Sequence, residues 1–463
     1  MTPLLQRLIE KEFGATALLH DATLLTGGAS QETWRIQVSQ QTQLTSYCLR
    51  REHKGDTEAS LEIGGIGLAT EALLMQSAKA AGVAVPQIIR VLDPSDGLGN
   101  GFLMEWLEGE TLGQKICHHS DFATIKSQLA AQCGHQLALI HAMDLGPLQT
   151  SGALKTMSAR ECIEQTYAQY LALDVSQPML DYTARYLLDH TPEQHEYVLN
   201  HGDFRNGNLM IDPQLGLTAV LDWELASITD PAKDIAWLCV NSWRFGNNEF
   251  WVGGFGHLDD LLQVYNNETG REIQRAQVLY WMLFGSFWWS VCCLSMGQSY
   301  KTGVNRSLER PLIGRRASEG QLDCVNLLLP SGFEIIATET EQDLIPTDAE
   351  LADALHHYLK HELVPKFEGK DKFLAQIAAS TARTLARSAR YRDTLQAQEE
   401  RRLRALLDLS GTCHELNVLL CQQLRNRVIG LDDPRLQAHL RATVEGQVQI
   451  DQPQYLAFSQ RGA

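Results

Sequence analysis

The sequence predicts an α+β fold of two lobes, a small antiparallel-sheet lobe and a mostly helical lobe, followed by an all-helical domain. Three observations predict it. Short strand-like runs separated by turn residues occupy residues 1–107, and apolar residues recur at three- and four-residue spacing from Phe122 onward. Pro330 to Thr347 then loses periodicity, and Ala-, Arg- and Glu-rich helical segments follow it. The expected division is a first lobe at 1–107, a second at 108–330, a linker at 331–346 and a helical accessory domain at 347–463. A chain of 463 residues suits about three such units.

In order, residues 1–20 read as a helix, and Ala22 to Val38 as strand, turn, strand, with Gly27-Gly28-Ala29-Ser30 at the turn. Glycines there let backbone N–H groups approach phosphates where a side chain would obstruct them, so Gly27, Gly28 and Ser30 are candidate nucleotide contacts. The strand Thr45 to Arg51 ends on two arginines. A cation at that position can hold the α- and β-phosphates of ATP, and an acid on the following helix, Glu71, would position it. Arg50 is the choice over Arg51, although adjacent strand residues face opposite sides and the sequence does not say which faces inward. Gly101 to Leu107 is an apolar strand running into Glu108-Gly109, a hinge whose backbone at Glu105 and Leu107 would meet the adenine. Ile125 to Met143 reads as a helix in which His135 and His141 take core roles, and helical patterns continue from Glu161 to Leu188.

The densest chemical signal is His201-Gly202-Asp203-Phe204-Arg205-Asn206-Gly207-Asn208, with the spacing H-x-D-x-x-x-x-N. Phosphoryl transfer needs an in-line nucleophile, charge neutralisation and one or two Mg2+ ions. Asp203 would accept or orient the hydroxyl proton, Arg205 would reach the transferring group, and Asn208 would offer a neutral oxygen to a metal. Leu209 to Asp212 and Thr218 to Leu221 read as a hairpin that returns Asp222 beside Asn208, with Glu224 able to assist.

Composition excludes several classes. A formal charge of -17 argues against general nucleic-acid binding, which relies on concentrated Lys and Arg. Ten cysteines without a disulfide or zinc spacing read as reduced thiols of a cytoplasmic protein. The most apolar window, Val278 to Leu294, is shorter than the ~20 residues of a spanning helix and reads as buried. The N-terminal stretch carries Arg7, Glu10, Lys11 and Glu12 and so lacks a signal-peptide core.

HGDFRNGN followed by AVLDWELASITDPAKDIAWL resembles the aminoglycoside phosphotransferase family, which has the protein-kinase-like fold. Within it the chain is most similar to the branch found in, or fused to, acyl-CoA dehydrogenase systems. That branch shares Leu49-Arg50-Arg51, Glu71, MEWLEG, LIHAMD, SWRFG and IGRR, so the likeness covers about residues 5–328. The resemblance implies ATP-dependent O-phosphorylation with Asp203 as base, Asn208 and Asp222 as Mg2+ ligands, and Asp234 bracing the loop, with His201 in support. Two departures stand out: an arginine replaces the usual third-strand lysine, and the glycine turn lacks a full G-x-G-x-x-G.

Arg244, Arg306, Arg310, Arg315 and Arg316 favour an anionic acceptor, since guanidinium groups bind carboxylate or phosphate bidentately. Of these, Arg244, Arg315 and Arg316 are the candidate substrate residues, and a hydroxy acid or hydroxyacyl-CoA the candidate substrate. The alternative is a nucleotide-binding pseudokinase regulating a fatty-acid-oxidation partner, and an aminoglycoside acceptor ranks lower. The C-terminal helices resemble a small domain of unknown role that accompanies such kinases, suited to an acyl-CoA dehydrogenase partner or a homodimer. His356, His357 and His361 there read as an exposed helix face.

Overall fold

In a computed structural model, the residues described are 2–25, 31–41, 43–52, 65–144, 146, 152–194, 196–330, 339, 346–455 and 457. Contacts divide the chain into two units, residues 1–158 with 194–278, and residues 159–193 with 279–463. The helices 159–193, which precede the HGDFRNGN loop, therefore group with the C-terminal part, a grouping that differs from the linear order of lobes.

The first unit contains β1 (Leu18–Leu24), β2 (Gln31–Gln40), β3 (Gln43–Glu52), β4 (Ile88–Val91) and β5 (Gly101–Glu105). They form one antiparallel sheet in the order β1-β2-β3-β5-β4. The helix Thr2–Phe13 buries Leu5, Leu8 and Ile9, one apolar stripe at helical spacing, against Ile36, Val38, Leu49 and Leu103 of the sheet. Alternation along β3 decides the question the sequence left open. Leu49 and Arg51 share the face toward that core, where Arg51 is buried and donates to the Leu98 carbonyl (2.7 Å) and Glu32 (2.8 Å), so Arg50 faces the other way.

The same unit continues with the helix Lys126–His141 and two short antiparallel pairs, β6 (Val198–Asn200) with β9 (Ser227–Thr229), and between them in sequence the hairpin β7 (Leu209–Asp212) with β8 (Gly216–Val220). Leu209 pairs with Val220, which brings the ends of the catalytic motif together. Asp230 then caps the helix Pro231–Cys239 by accepting from the Ala232 N–H (2.8 Å), with Pro231 preset for the first turn.

The second unit is helical throughout its described length. Its longest member, Gly369–Leu407, runs for 39 residues. A capping box at Thr347, whose hydroxyl accepts from Glu350 N–H while Glu350 accepts from Thr347 N–H, starts the C-terminal helices where the sequence places them. The helix Arg275–Thr302 extends well beyond the apolar window at both ends. Among the described residues it is the one helix long and apolar enough to cross a membrane, but 67% of its apolar window is buried in the protein, which accounts for its composition.

Candidate active site

The loop between β6 and β7 is held from below by buried groups. Phe204 is fully buried, and Asn206 donates to the carbonyls of Trp243 (3.2 Å) and Gly253 (2.5 Å). Asp234, in the first turn of the helix Pro231–Cys239, accepts the backbone N–H groups of His201 (2.6 Å) and Gly202 (2.9 Å). Burial alone would raise the Asp234 carboxyl, but His141, His201 and the Gly202 amide hold it below its ordinary range, so it braces the loop as an anion. His141 lies between this carboxylate and the Tyr265 hydroxyl, a packed structural part.

His201 is fully buried, and burial lowers its pKa against the pull of Asp234 and Asp203, so the ring is neutral. Its Nε2 faces the Leu221 carbonyl (3.0 Å) and must carry the proton, which leaves Nδ1 to accept from Asp203 N–H (3.2 Å). The histidine thus ties the start of the loop to the residue before Asp222.

Asp203 emerges with both carboxylate oxygens engaged. Oδ1 accepts from Arg205 Nε (2.8 Å) and from Trp237 Nε1 (2.7 Å), and Oδ2 accepts from Asn208 Nδ2 (2.6 Å). Asn208 also donates to the Asp203 carbonyl (3.0 Å), which fixes its amide with Oδ1 as the remaining donor atom for a cation. Arg205 lies flat over the Trp243 ring, 4.3 Å from its centroid. Trp237 and Trp243 are absent from the residues singled out by sequence. The available signal was position: Trp237 sits one turn after Asp234 on the same helix.

Across from this loop, Arg50 meets three acids. Its guanidinium pairs with Asp222, with Glu71 (3.4 Å) and with Glu224 (3.6 Å), and its Nε donates to Gln31. Burial would lower the Arg50 pKa, but the three carboxylates outweigh it and keep the guanidinium charged. Glu71 is fully buried on the helix Leu68–Ala80, and one of its oxygens has no hydrogen-bond partner. Its carboxyl is pushed up to about 7 by burial, against Arg50 and with Asp222 and Glu224 adding to the rise. Asp222 takes φ +66, a left-handed conformation that an aspartate tolerates at a turn.

The donor chemistry fits Mg2+. Asn208 Oδ1 and the Asp222 carboxylate are hard oxygen ligands, and Mg2+ commonly takes only one or two protein ligands, completing its shell from phosphates and water. Among the described residues no three His, Cys, Asp or Glu side chains gather for a metal, and the rings of His357 and His361, 4.6 Å apart, belong to no such cluster.

Other expected residues are placed as follows. Glu105 ends β5 with its N–H donated to the Gln87 carbonyl (2.9 Å), and Leu107 follows two residues later, partly exposed. Gly27, Gly28 and Ser30 lie outside the described residues. Arg244 is buried at 3% exposure and donates from Nε and Nη2 to the Cys239 carbonyl, a placement that gives it a structural part. Arg315 and Arg316 belong to the second unit, where they pair with Asp451 (3.3 Å) and Glu319 (3.1 Å).

The model of the APH family, the phosphotransferase enzyme family, matches residues 21–270, more than half of the chain. The chain belongs to this family. Residues 365–455 match a separate domain of unknown function, DUF6285. Mouse acyl-CoA dehydrogenase family member 10 is 30% identical over 178 residues, 36% of this chain and 16% of that protein. Human acyl-CoA dehydrogenase family member 11 is 27% identical over 384 residues, 75% of this chain and 46% of that protein. The chain thus spans less than half the length of these curated relatives. A solved structure of a candidate aminoglycoside phosphotransferase from Ralstonia eutropha aligns with TM-score 0.54 at 20% identity, covering 69% of this chain and 96% of that one, and shares the two-lobed fold.

Proposed function

We propose that this phosphotransferase moves the γ-phosphoryl group of ATP, with Mg2+, onto a hydroxyl of an anionic small molecule such as a hydroxy acid or a hydroxyacyl-CoA. The observation that carries the reading is the convergence of Asp203, Asn208 and Asp222 at one end of the β7–β8 pair, with Arg50 and Glu71 facing them. In the proposed reaction Asp203 takes the acceptor proton as the hydroxyl oxygen bonds to the γ-phosphorus, and the bond to the β-phosphate oxygen breaks to release ADP. Arg205 and Trp237 hold the Asp203 carboxylate in its orientation. Asn208 and Asp222 would hold Mg2+, which when bound neutralises charge on the phosphate oxygens. Arg50, released from Asp222, would take the α- and β-phosphates with Glu71 behind it, and the backbone at Glu105 and Leu107 would meet the adenine. His201 and Asp234 support the loop.

The anionic acceptor class is supported by the names of the curated relatives, which also suggest an acyl-CoA dehydrogenase as partner. A cytoplasmic place is supported by ten cysteines, none of which forms a disulfide. The test is Mg-ATP turnover against a panel of hydroxy acids, their thioesters and amino sugars. Asp203→Asn should lower kcat by about 10^2 to 10^4-fold while ATP still binds. Equal inertness of wild type and variant, with ATP bound by both, would replace this reading with a nucleotide-binding regulatory module. Turnover with amino sugars alone would replace the acceptor class.

A further inference from the structure

The second unit contains a cavity of about 210 Å3 whose walls come from three places in the chain. Arg315 and Arg316 close the short helix Glu309–Arg315. Ser380, Arg383, Thr384 and Arg387 recur at helical spacing along one face of Gly369–Leu407, and Asp451 ends the helix Pro434–Asp451. Four guanidinium groups therefore meet one carboxylate in the lining.

Their partners leave charge over. Arg316 is matched by Glu319, and Arg315 shares Asp451 at 3.3 Å. Arg387 donates to neutral oxygens, the carbonyls of Ile450 and Asp451 (3.0 Å) and the Thr384 hydroxyl (3.0 Å), which fix its direction without neutralising it. The carbonyl end of a helix contributes at most about half a negative charge there. Arg383 is exposed and forms no hydrogen bond or ion pair among the described residues. Burial and the neighbouring Arg383 lower the Arg387 pKa, and the opposing pull of Asp451 and Asp353 does not restore it.

We infer that this cavity binds a phosphate-bearing small molecule, gripped by Arg383 and Arg387 with Arg315 at its edge. The charge selects the class. A phosphate monoester brings about -1.5 to -2 and three acceptor oxygens, which answers two unmatched guanidiniums, whereas a carboxylate brings one charge. The volume selects the size, since whole drug-sized ligands need roughly 300 Å3 or more. The site suits a phosphate group or diphosphate head rather than a complete nucleotide. A nucleic acid is disfavoured by the net charge of -17. The inference does not depend on the phosphotransferase reaction: Arg315 and Arg316, expected from sequence beside the acceptor, lie in the second unit, and Asp203, Arg205, Asn208 and Asp222 are all absent from the lining.

The experiment is calorimetric titration of the full chain with inorganic pyrophosphate and with orthophosphate in the absence of Mg2+, together with melting curves. Wild type should bind pyrophosphate and melt higher in its presence. Arg383→Gln removes an unpaired surface arginine and should keep the fold while weakening binding at least tenfold. Ser380→Glu removes no arginine but adds a carboxylate to the exposed wall, and should abolish the binding. Absence of binding by wild type, or binding that both variants leave unchanged, would overturn the site.

Discussion

Arg50 shows how a single residue sets the resting state of the site. Facing Glu71, Asp222 and Glu224 at once, it neutralises acids that would otherwise repel each other and any incoming phosphate. Glu71 pays most for this arrangement, being fully buried with an unpartnered oxygen and a carboxyl pushed from 4.5 to about 7. The sign follows from linkage. A raised carboxyl pKa means that the folded chain keeps a proton the unfolded chain has lost, so the stability it brings is complete below pH 4.5 and is lost as pH rises through 7. Urea unfolding of wild type across that range should show a falling component of stability that Glu71→Gln removes. Parallel pH profiles for the two proteins would rule out the assignment.

At the scale of elements, the loop depends on a glycine as much as on its acids. Gly202 has φ +84, and a Cβ at that position would lie 2.1 Å from the Leu225 carbonyl oxygen. Gly202→Ala should therefore destabilise the protein by about 2–4 kcal/mol, from left-handed strain and the clash with backbone together. Denaturant unfolding would measure it, and a loss below about 0.5 kcal/mol would show that the loop relaxes. The spacing of HGDFRNGN and the strand, turn, strand run after it made this loop and the return of Asp222 legible, because both are local. Glu71 was legible as the acid of the helix after the arginine-ended strand, whereas Asp234 was found through resemblance, since nothing in its own neighbourhood marks it. Trp237 was not legible: a tryptophan on an apolar helix looks like core, and only folding brings its N–H to Asp203. The choice between Arg50 and Arg51 needed the fold as well, because alternation separates the two faces and only the buried Leu49 and Arg51 show which one meets the core.

For the whole molecule, the sequence breaker at 331–346 marks a boundary before the accessory helices, and hydrogen bonds join the residues on its two sides. Asp181, on the helix Pro178–Asp189, is buried and accepts from the hydroxyls of Tyr167 (2.6 Å) and Tyr170 (2.9 Å) and from Arg425 Nε (2.7 Å) and Nη2 (3.1 Å). Arg441, equally buried, donates to the carbonyls of Leu329 (2.8 Å) and Val325 (3.3 Å). Both arginines lie in the accessory helices, and both serve residues that precede the breaker. A chain ending at residue 346 would lose them and leave the buried Asp181 without its partly exposed cation, and an unsatisfied buried acceptor costs about 1–3 kcal/mol. For a unit of this size that corresponds to a melting temperature lower by at least roughly 2 °C. Calorimetry of the 1–346 chain beside the full chain measures the difference. A truncated protein that melts within a degree of the full chain would mean that the helices of 347–463 form an independent domain after all. A large drop would mean that the break in sequence falls inside a single folding unit, which residues 159–193 enter from before the catalytic loop.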